Sequence, residues 1–256
     1  MFPILYQYKF ISIGGYGVML GLGFYLAFLL FERELKLRDI DPELAYKILL
    51  TAIPLGIIGS KVFHILEHLD DFARYPMEMI FSGAGLSAYG GFVFAFIGCA
   101  IVIKRSNEDI LTICDAVAPS LALGYCFGRF GCHVAGDGCY GLIVKSYHYF
   151  QFTATPYPNG IVPTSLPVFP TPLFEVLFSF IAVGILLQMR RKPFPTGTLF
   201  FVYLLFNGVP RFLVEFIRLN PRMFLGLTQA QLVGILVIIT GIIGLVIINK
   251  KTEKSA

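Results

Sequence analysis

Apolar residues along this chain neither alternate with polar ones nor form a narrow stripe; they run together in blocks that charged residues separate. About 20 mostly apolar residues make a helix long enough to cross a hydrocarbon core roughly 30 Å thick. Blocks of that kind lie near residues 14–31, 47–66, 84–103, 113–130, 171–189, 197–217 and 231–248. The pattern predicts an all-α integral membrane protein with about seven transmembrane helices. The whole chain, 1–256, reads as a single polytopic membrane domain without internal repeats. Its longest connection, about 131–170, is Pro-rich and nearly uncharged, and is expected to form a small extracytoplasmic head against the membrane surface.

Composition supports that class. Hydrophobic residues make up 56% of the chain and charged residues only 14%, with a mean hydropathy of +0.75, which excludes an ordinary soluble domain. Basic residues gather in alternate connections, at Arg33, Lys36, Arg38 and Lys47, then Lys104 and Arg105, then Arg190, Arg191 and Lys192, then Lys250, Lys251 and Lys254. Cytoplasmic loops carry that excess, so the N-terminus is expected outside and the C-terminus in the cytoplasm. The same loops account for the formal charge of +4, and no nucleic-acid partner is needed to explain it. The first apolar block lacks a basic leader and a small-residue cleavage site, so it reads as a retained helix. Five cysteines are dispersed; Cys99, Cys114 and Cys126 sit in apolar stretches as small core residues, whereas Cys132 and Cys139 fall on the outer side, where a disulfide is permitted.

An ionisable side chain within a span costs on the order of 2.5–3.5 kcal/mol and ordinarily faces a partner or a cavity. Four stretches carry such groups. In "SKVFHILEH" at 60–68, Lys61, His64 and His68 share a helix face. "HILEH" also matches a zinc-hydrolase pattern with Glu67 as base, but that pattern needs a distal third ligand, and a plainer reading is an interfacial helix end. In "GLSAYGGFVFAF" at 85–96, Gly90 and Gly91 follow Tyr89 at a helix start, which suits close helix packing and places a phenol near headgroup depth.

The third stretch is "GRFGCHVAGDGCYG" at 128–141. Its glycines, Gly131 among them, let the backbone turn and approach a ligand, and Arg129 offers a forked set of donors to a phosphate. A structural pair between Arg129 and Asp137 is the alternative, and Cys132, His133 and Cys139 form an incomplete metal set. The fourth, "VPRFLVEFIRLNP" at 209–221, spaces Arg211, Glu215 and Arg218 along one helical face. One carboxylate cannot neutralise two arginines, so the leftover positive charge points to an anionic ligand, most simply a phospholipid headgroup.

Taken in order, "GGYGVMLGLGF", "IIGSKVFHIL", "GAGLSAYGGFVFAFIG", "GYCFGRFG", "FPTPLFEVL" and "RFLVEFIR" resemble the prolipoprotein diacylglyceryl transferase family of bacteria over most of the chain. The resemblance implies a seven-helix enzyme of the inner membrane. It would move the diacylglyceryl group of phosphatidylglycerol to the lipobox cysteine of a prolipoprotein and release glycerol phosphate. It implies that Arg129, Arg211 and Arg218 hold the phosphate, that Glu215 orients the arginines and that Tyr16 lines the lipid site with Gly90, Gly91 and Gly131. The proton of the acceptor thiol would go to Tyr89, His133 or Asp137. No metal or cofactor is implied.

The chain departs from the family's pattern where that signature usually continues G-N-F-x-N-x-E. Cys132 and Ala135 replace the two asparagines, Asp137 replaces the glutamate, and Tyr89 stands where many members have histidine. A paralogue with a different acceptor is therefore a second expectation, with His133 supplying the missing imidazole. A non-catalytic lipid-binding protein or anion transporter is a third, although transporters often show repeats that are not seen here.

Overall fold

The structure is a computed structural model, and it describes residues 2–8, 11–82, 87–144, 155–223 and 225–253, without the side chains of Ile11, Ala88 and Tyr89. In chain order its elements are β1 (Ile4–Tyr8), β2 (Ile11–Gly14), α1 (Gly15–Lys36), α2 (Glu43–Glu67), α3 (Leu69–Arg74), α4 (Pro76–Phe81), α5 (Ala88–Arg105), α6 (Ile110–Ala135), β3 (Thr155–Tyr157), β4 (Thr164–Val168), α7 (Thr171–Met189), α8 (Thr198–Val214) and α9 (Gln229–Glu253). A 3₁₀ turn, Glu215–Ile217, follows α8.

Among the described residues, six helices are long and apolar enough to cross a membrane: α1, α2, α6, α7, α8 with its 3₁₀ turn, and α9. The remaining block, expected over 84–103, folds as α5. Two short antiparallel hairpins, β1–β2 and β3–β4, add to the helical plan. The first of them, at the N-terminus, was not expected from the hydrophobic blocks.

Two compact units make up the chain, Met1–Phe31 with Cys114–Ala256, and Glu32–Ile113. In the second unit α2 and α5 pack along glycines. A Cβ on Gly59 would run into the Gly90 carbonyl and Phe94, one on Gly90 into Phe63, and one on Gly91 into Ser60. Gly90 and Gly91 thus serve close helix packing, as small residues do where backbones meet in lipid. Lys61 donates through Nζ to Ser82 O at 2.9 Å and Ser82 Oγ at 3.2 Å.

The first unit has its core between α6, α7 and α8, where Ala118, Ala122, Ala182, Val183, Leu186 and Leu199 are buried together. Against them α8 meets α9 through glycines. A Cβ on Gly208 would lie 2.8 Å from Ile238 and 3.0 Å from the Gly234 carbonyl, and one on Gly241 would lie 2.9 Å from Leu205. Helix α9 buries Gly234, Gly241 and Gly244 while leaving Leu236, Ile243 and Ile247 exposed. That inversion, with small residues inside and large apolar ones outside, is what a lipid solvent selects.

Helix α8 starts at Gly197, whose φ of 93° needs a glycine. No side chain of its own caps it; Asp115 on α6 does so, accepting from Gly197 N at 2.7 Å and Phe200 N at 2.8 Å. Orphan amides at a helix N-terminus are thereby met by a carboxylate from a neighbouring helix, on the end where the dipole favours negative charge. Replacing Asp115 with Ala should cost about 2 kcal/mol or more, seen as a lower thermal midpoint in detergent, and Asp115→Asn should lose less.

Candidate active site

Helix α6 ends at Ala135, and the segment after it doubles back because Gly136 (φ 60°) and Gly138 (φ 85°) adopt the left-handed conformation. The strand of chain that follows is stitched between two helix ends. Gly141 N donates to Phe169 O at 2.8 Å, just before α7, and Leu142 N donates to Ile217 O at 2.8 Å, just after α8. A Cβ on Gly141 would collide with the Ile217 carbonyl and lie 2.9 Å from Thr171 Cγ2, so only glycine fits. Thr171 Oγ1 donates to Cys139 O at 2.5 Å. By these bonds the ends of α6, α7 and α8 are brought to one place.

There the arginines converge on one carboxylate. Glu175, one turn into α7 and 1% exposed, accepts from Tyr125 Oη at 2.8 Å and Arg211 Nη1 at 2.9 Å on Oε1. Its Oε2 lies 3.3 Å from Arg129 Nε and 3.7 Å from Arg218 Nη1. Arg129 and Tyr125 sit one helical turn apart on α6, joined by an Nε to Oη bond of 3.0 Å. Glu215, also buried, is 3.7 Å from Arg218 Nε and 4.0 Å from Arg211 Nη2, and accepts from the Asn220 amide.

Arg129, expected to be able to pair with Asp137, pairs with Glu175 instead. Arg218, expected on one helical face with Arg211 and Glu215, is extended (φ −89°, ψ 163°) because α8 gives way to a 3₁₀ turn before it. Pro221 disfavours helix at Asn220 and helps to end the run. Arg218 reaches the cluster all the same, held by a bridge to Gly141.

Three guanidinium groups therefore face two carboxylates. Arg218 Nη1, Glu175 Oε2 and Glu215 Oε2 are buried without a hydrogen-bond partner. Buried polar atoms of this kind point to a group that belongs between them. The excess positive charge and the Arg218 Nη1 without a hydrogen-bond partner are what an anionic group could engage.

Tyr16, at the start of α1, packs over Gly131: a Cβ there would lie 3.1 Å from Tyr16 Cδ2. His133 forms a 2.9 Å hydrogen bond through Nδ1 with Tyr157 Oη on β3, and Tyr157 is buried against Tyr140 and Val168. Burial raises the Tyr157 phenol above its ordinary range, so it stays protonated. Asp137 Oδ1 accepts from Cys139 N at 3.1 Å. Tyr89 lies in the first turn of α5, in the other unit, and its side chain is outside the described residues. Cys132 and Cys139 are free thiols.

Residues 3–247 match the family described as prolipoprotein diacylglyceryl transferase. The chain belongs to that family. It is similar to the phosphatidylglycerol–prolipoprotein diacylglyceryl transferase of Clostridium tetani, with 32% identity over 94% of this chain and 96% of the relative. The Leptospira interrogans protein of that name is 30% identical over 94% and 91%. A second such transferase of Clostridium perfringens is 32% identical over 91% and 90%.

Membership of the prolipoprotein diacylglyceryl transferase family makes this an integral membrane protein. Glu175 was quoted within a family segment yet given no role from sequence. Its signal was there, since it is the lone acidic residue in the apolar run of α7, and such a residue has the same insertion cost as Arg129.

Glu175→Gln keeps the shape but removes the central charge from three arginines. Breaking a buried pair in this way costs about 3–5 kcal/mol, so the variant should melt earlier in detergent, with part of the loss recovered when Arg129→Met is added. The Cys139 thiol is drawn down to about 7 because the Cys132 thiol hydrogen-bonds its thiolate and Arg218 attracts it, against burial and the Asp137 charge. The thiolate is the reactive form. In chelator-treated, reduced protein, iodoacetamide labelling of Cys139 should therefore rise through pH about 7, and Cys132→Ala should move that rise to higher pH, read by peptide mass spectrometry.

Proposed function

We propose that the chain transfers the diacylglyceryl group of phosphatidylglycerol to the lipobox cysteine thiol of prolipoproteins and releases glycerol phosphate. The observation that carries this reading is the cluster of Arg129, Arg211 and Arg218 around Glu175 and Glu215, with one positive charge left over and Arg218 Nη1 unfilled. In the reaction the cysteine sulfur attacks the diacylglyceryl carbon, an S–C bond forms, and the C–O bond to phosphate breaks. The electron pair leaves on the phosphate oxygen, where the arginines stabilise the growing charge. Glu175 and Glu215 position the guanidinium groups beforehand, so that little reorganisation is needed as charge develops.

Tyr16, stacked over Gly131, lines the lipid site. Asp137 and the His133–Tyr157 pair stand at the acceptor side, where His133 or Asp137 takes the thiol proton. On this reading the extracytoplasmic head falls at about 131–170, of which 145–154 lie outside the described residues, and the chain sits in the bacterial inner membrane with its N-terminus outside. That orientation is supported by the basic residues Lys104, Arg105, Arg190, Arg191 and Lys192 in alternate connections.

A second reading, transfer to a different acceptor, is favoured by one feature. Cys132, Ala135 and Asp137 depart from the family's usual residues while the arginine cluster is kept. Incubating the purified protein with phosphatidylglycerol and a lipobox peptide distinguishes the two readings. A diacylglyceryl mass on the cysteine peptide, absent on its serine counterpart and reduced on the order of 10²–10³-fold by Arg211→Ala, is the expected result. No adduct from a folded protein that still binds phosphatidylglycerol would leave the different-acceptor reading.

A further inference from the structure

We propose that Cys132, Asp137 and Cys139 form a three-ligand site for a thiophilic divalent cation, with Zn²⁺ the fitting ion and its fourth position open to a thiol. The two sulfurs and a carboxylate oxygen all lie within 4.8 Å of one another. A tetrahedral zinc with Zn–S bonds of about 2.3 Å and Zn–O bonds of about 2.0–2.2 Å needs donor atoms spaced only slightly closer than that.

The backbone is built to bring them together. Cys132 closes the last turn of α6, the left-handed Gly136 and Gly138 fold the chain back, and Cys139 returns over Cys132. Asp137 and Cys139 are then held from behind. Asp137 is oriented by the Cys139 amide on Oδ1. The Cys139 backbone is fixed by the Thr171 hydroxyl and by the Gly141 bond to Phe169. Outer partners of this kind are what orient metal ligands.

Ligand chemistry selects the ion. Two thiolates exclude magnesium and calcium in favour of zinc, and three protein ligands leave a position for substrate rather than closing a structural site. Burial agrees, because Cys132 is 8% exposed while Asp137 and Cys139 are only half-buried, which leaves one side accessible. His64, Glu67 and His68 also bring donors within 4.8 Å of one another, but they lack sulfur, Glu67 and His68 are exposed, and His68 Nδ1 already contacts His64 O at 3.1 Å. His133, one of the ligands weighed from sequence, is turned to Tyr157 instead.

The cation site stands without the transferase reading; its role rests on it. With the cation in place, a thiol at the fourth position would be deprotonated, its proton passing to His133 because Asp137 is then a ligand, so the acceptor cysteine would arrive as the thiolate that attack on the diacylglyceryl carbon requires. This also accounts for a segment that has exchanged one asparagine for the sulfur ligand Cys132 and its glutamate for Asp137, beside an intact arginine cluster.

The test uses Co²⁺ as the probe in reduced, chelator-treated full-length protein. The expected result is one tightly held Co²⁺ per chain, with tetrahedral visible bands and thiolate-to-cobalt charge transfer that Zn²⁺ abolishes. Cys139→Ser and Asp137→Asn should weaken binding at least tenfold while keeping the thermal midpoint of metal-free protein, and Cys99→Ser should change nothing. Adding a lipobox cysteine peptide should shift the visible bands, and the serine peptide should not. No tetrahedral spectrum from folded protein with titratable thiols overturns the site, as does a Cys132–Cys139 disulfide as its resting state. Unshifted bands in a preparation that lipidates the peptide equally with metal or chelator would overturn the acceptor role alone. Cobalt binding is read without lipid or turnover, so it can succeed where the transferase reading fails.

Discussion

A buried carboxylate facing three arginines is the constraint around which the first unit is arranged. Glu175 could not remain ionised in the apolar run of α7 without partners, and Arg129, Arg211 and Arg218 could not be buried without it. These residues come from three separate stretches of chain, so the cluster fixes the ends of α6, α7 and α8 relative to one another. The strap through Gly141 does the same with backbone bonds. Charge and hydrogen bonding thus place the helix ends, while alanines and glycines let the helices approach behind them.

The balance of that cluster matters as much as its location. Had a third carboxylate been present, the arginines would be a closed structural network of the sort that stitches many membrane proteins together. With two, the network is incomplete by one charge, and the incompleteness is buried at Arg218 Nη1 and at the facing carboxylate oxygens. On the proposed function, a network kept in that state would have its donors already aimed when an anion arrives, which is the condition under which electrostatic stabilisation is most effective.

Much of this was legible from the chain alone, for reasons that differ by residue. Long apolar blocks mark helices because a spanning segment must satisfy its own backbone, and α7 began and ended where its block did. Arg129 and Arg211 stood out because charge in an apolar run needs a reason. Glu175 escaped because its partners are distant in sequence, Arg129 lying 46 positions before it, and spacing within a helix says nothing of such pairs. Arg218 was misplaced on a helical face because helical periodicity does not announce where a 3₁₀ turn will take over. The β1–β2 hairpin was hidden for another reason: its strands are only five and four residues long, too short to stand out beside blocks of spanning length. Gly141 could be recognised as a turn former, but not as the point where a carbonyl from after α8 comes too close for any side chain.

The glycine seam between α8 and α9 also bears on how a two-tailed lipid reaches the cluster. Where Gly208 meets the Gly234 carbonyl and Gly241 meets Leu205, the two helices touch with no gap for a methylene chain, and parting them would expose backbone that only the partner helix covers. That side of the unit is a wall. On the proposed function, the acyl tails would then pass along some other boundary of the helices while the arginines draw the headgroup inward.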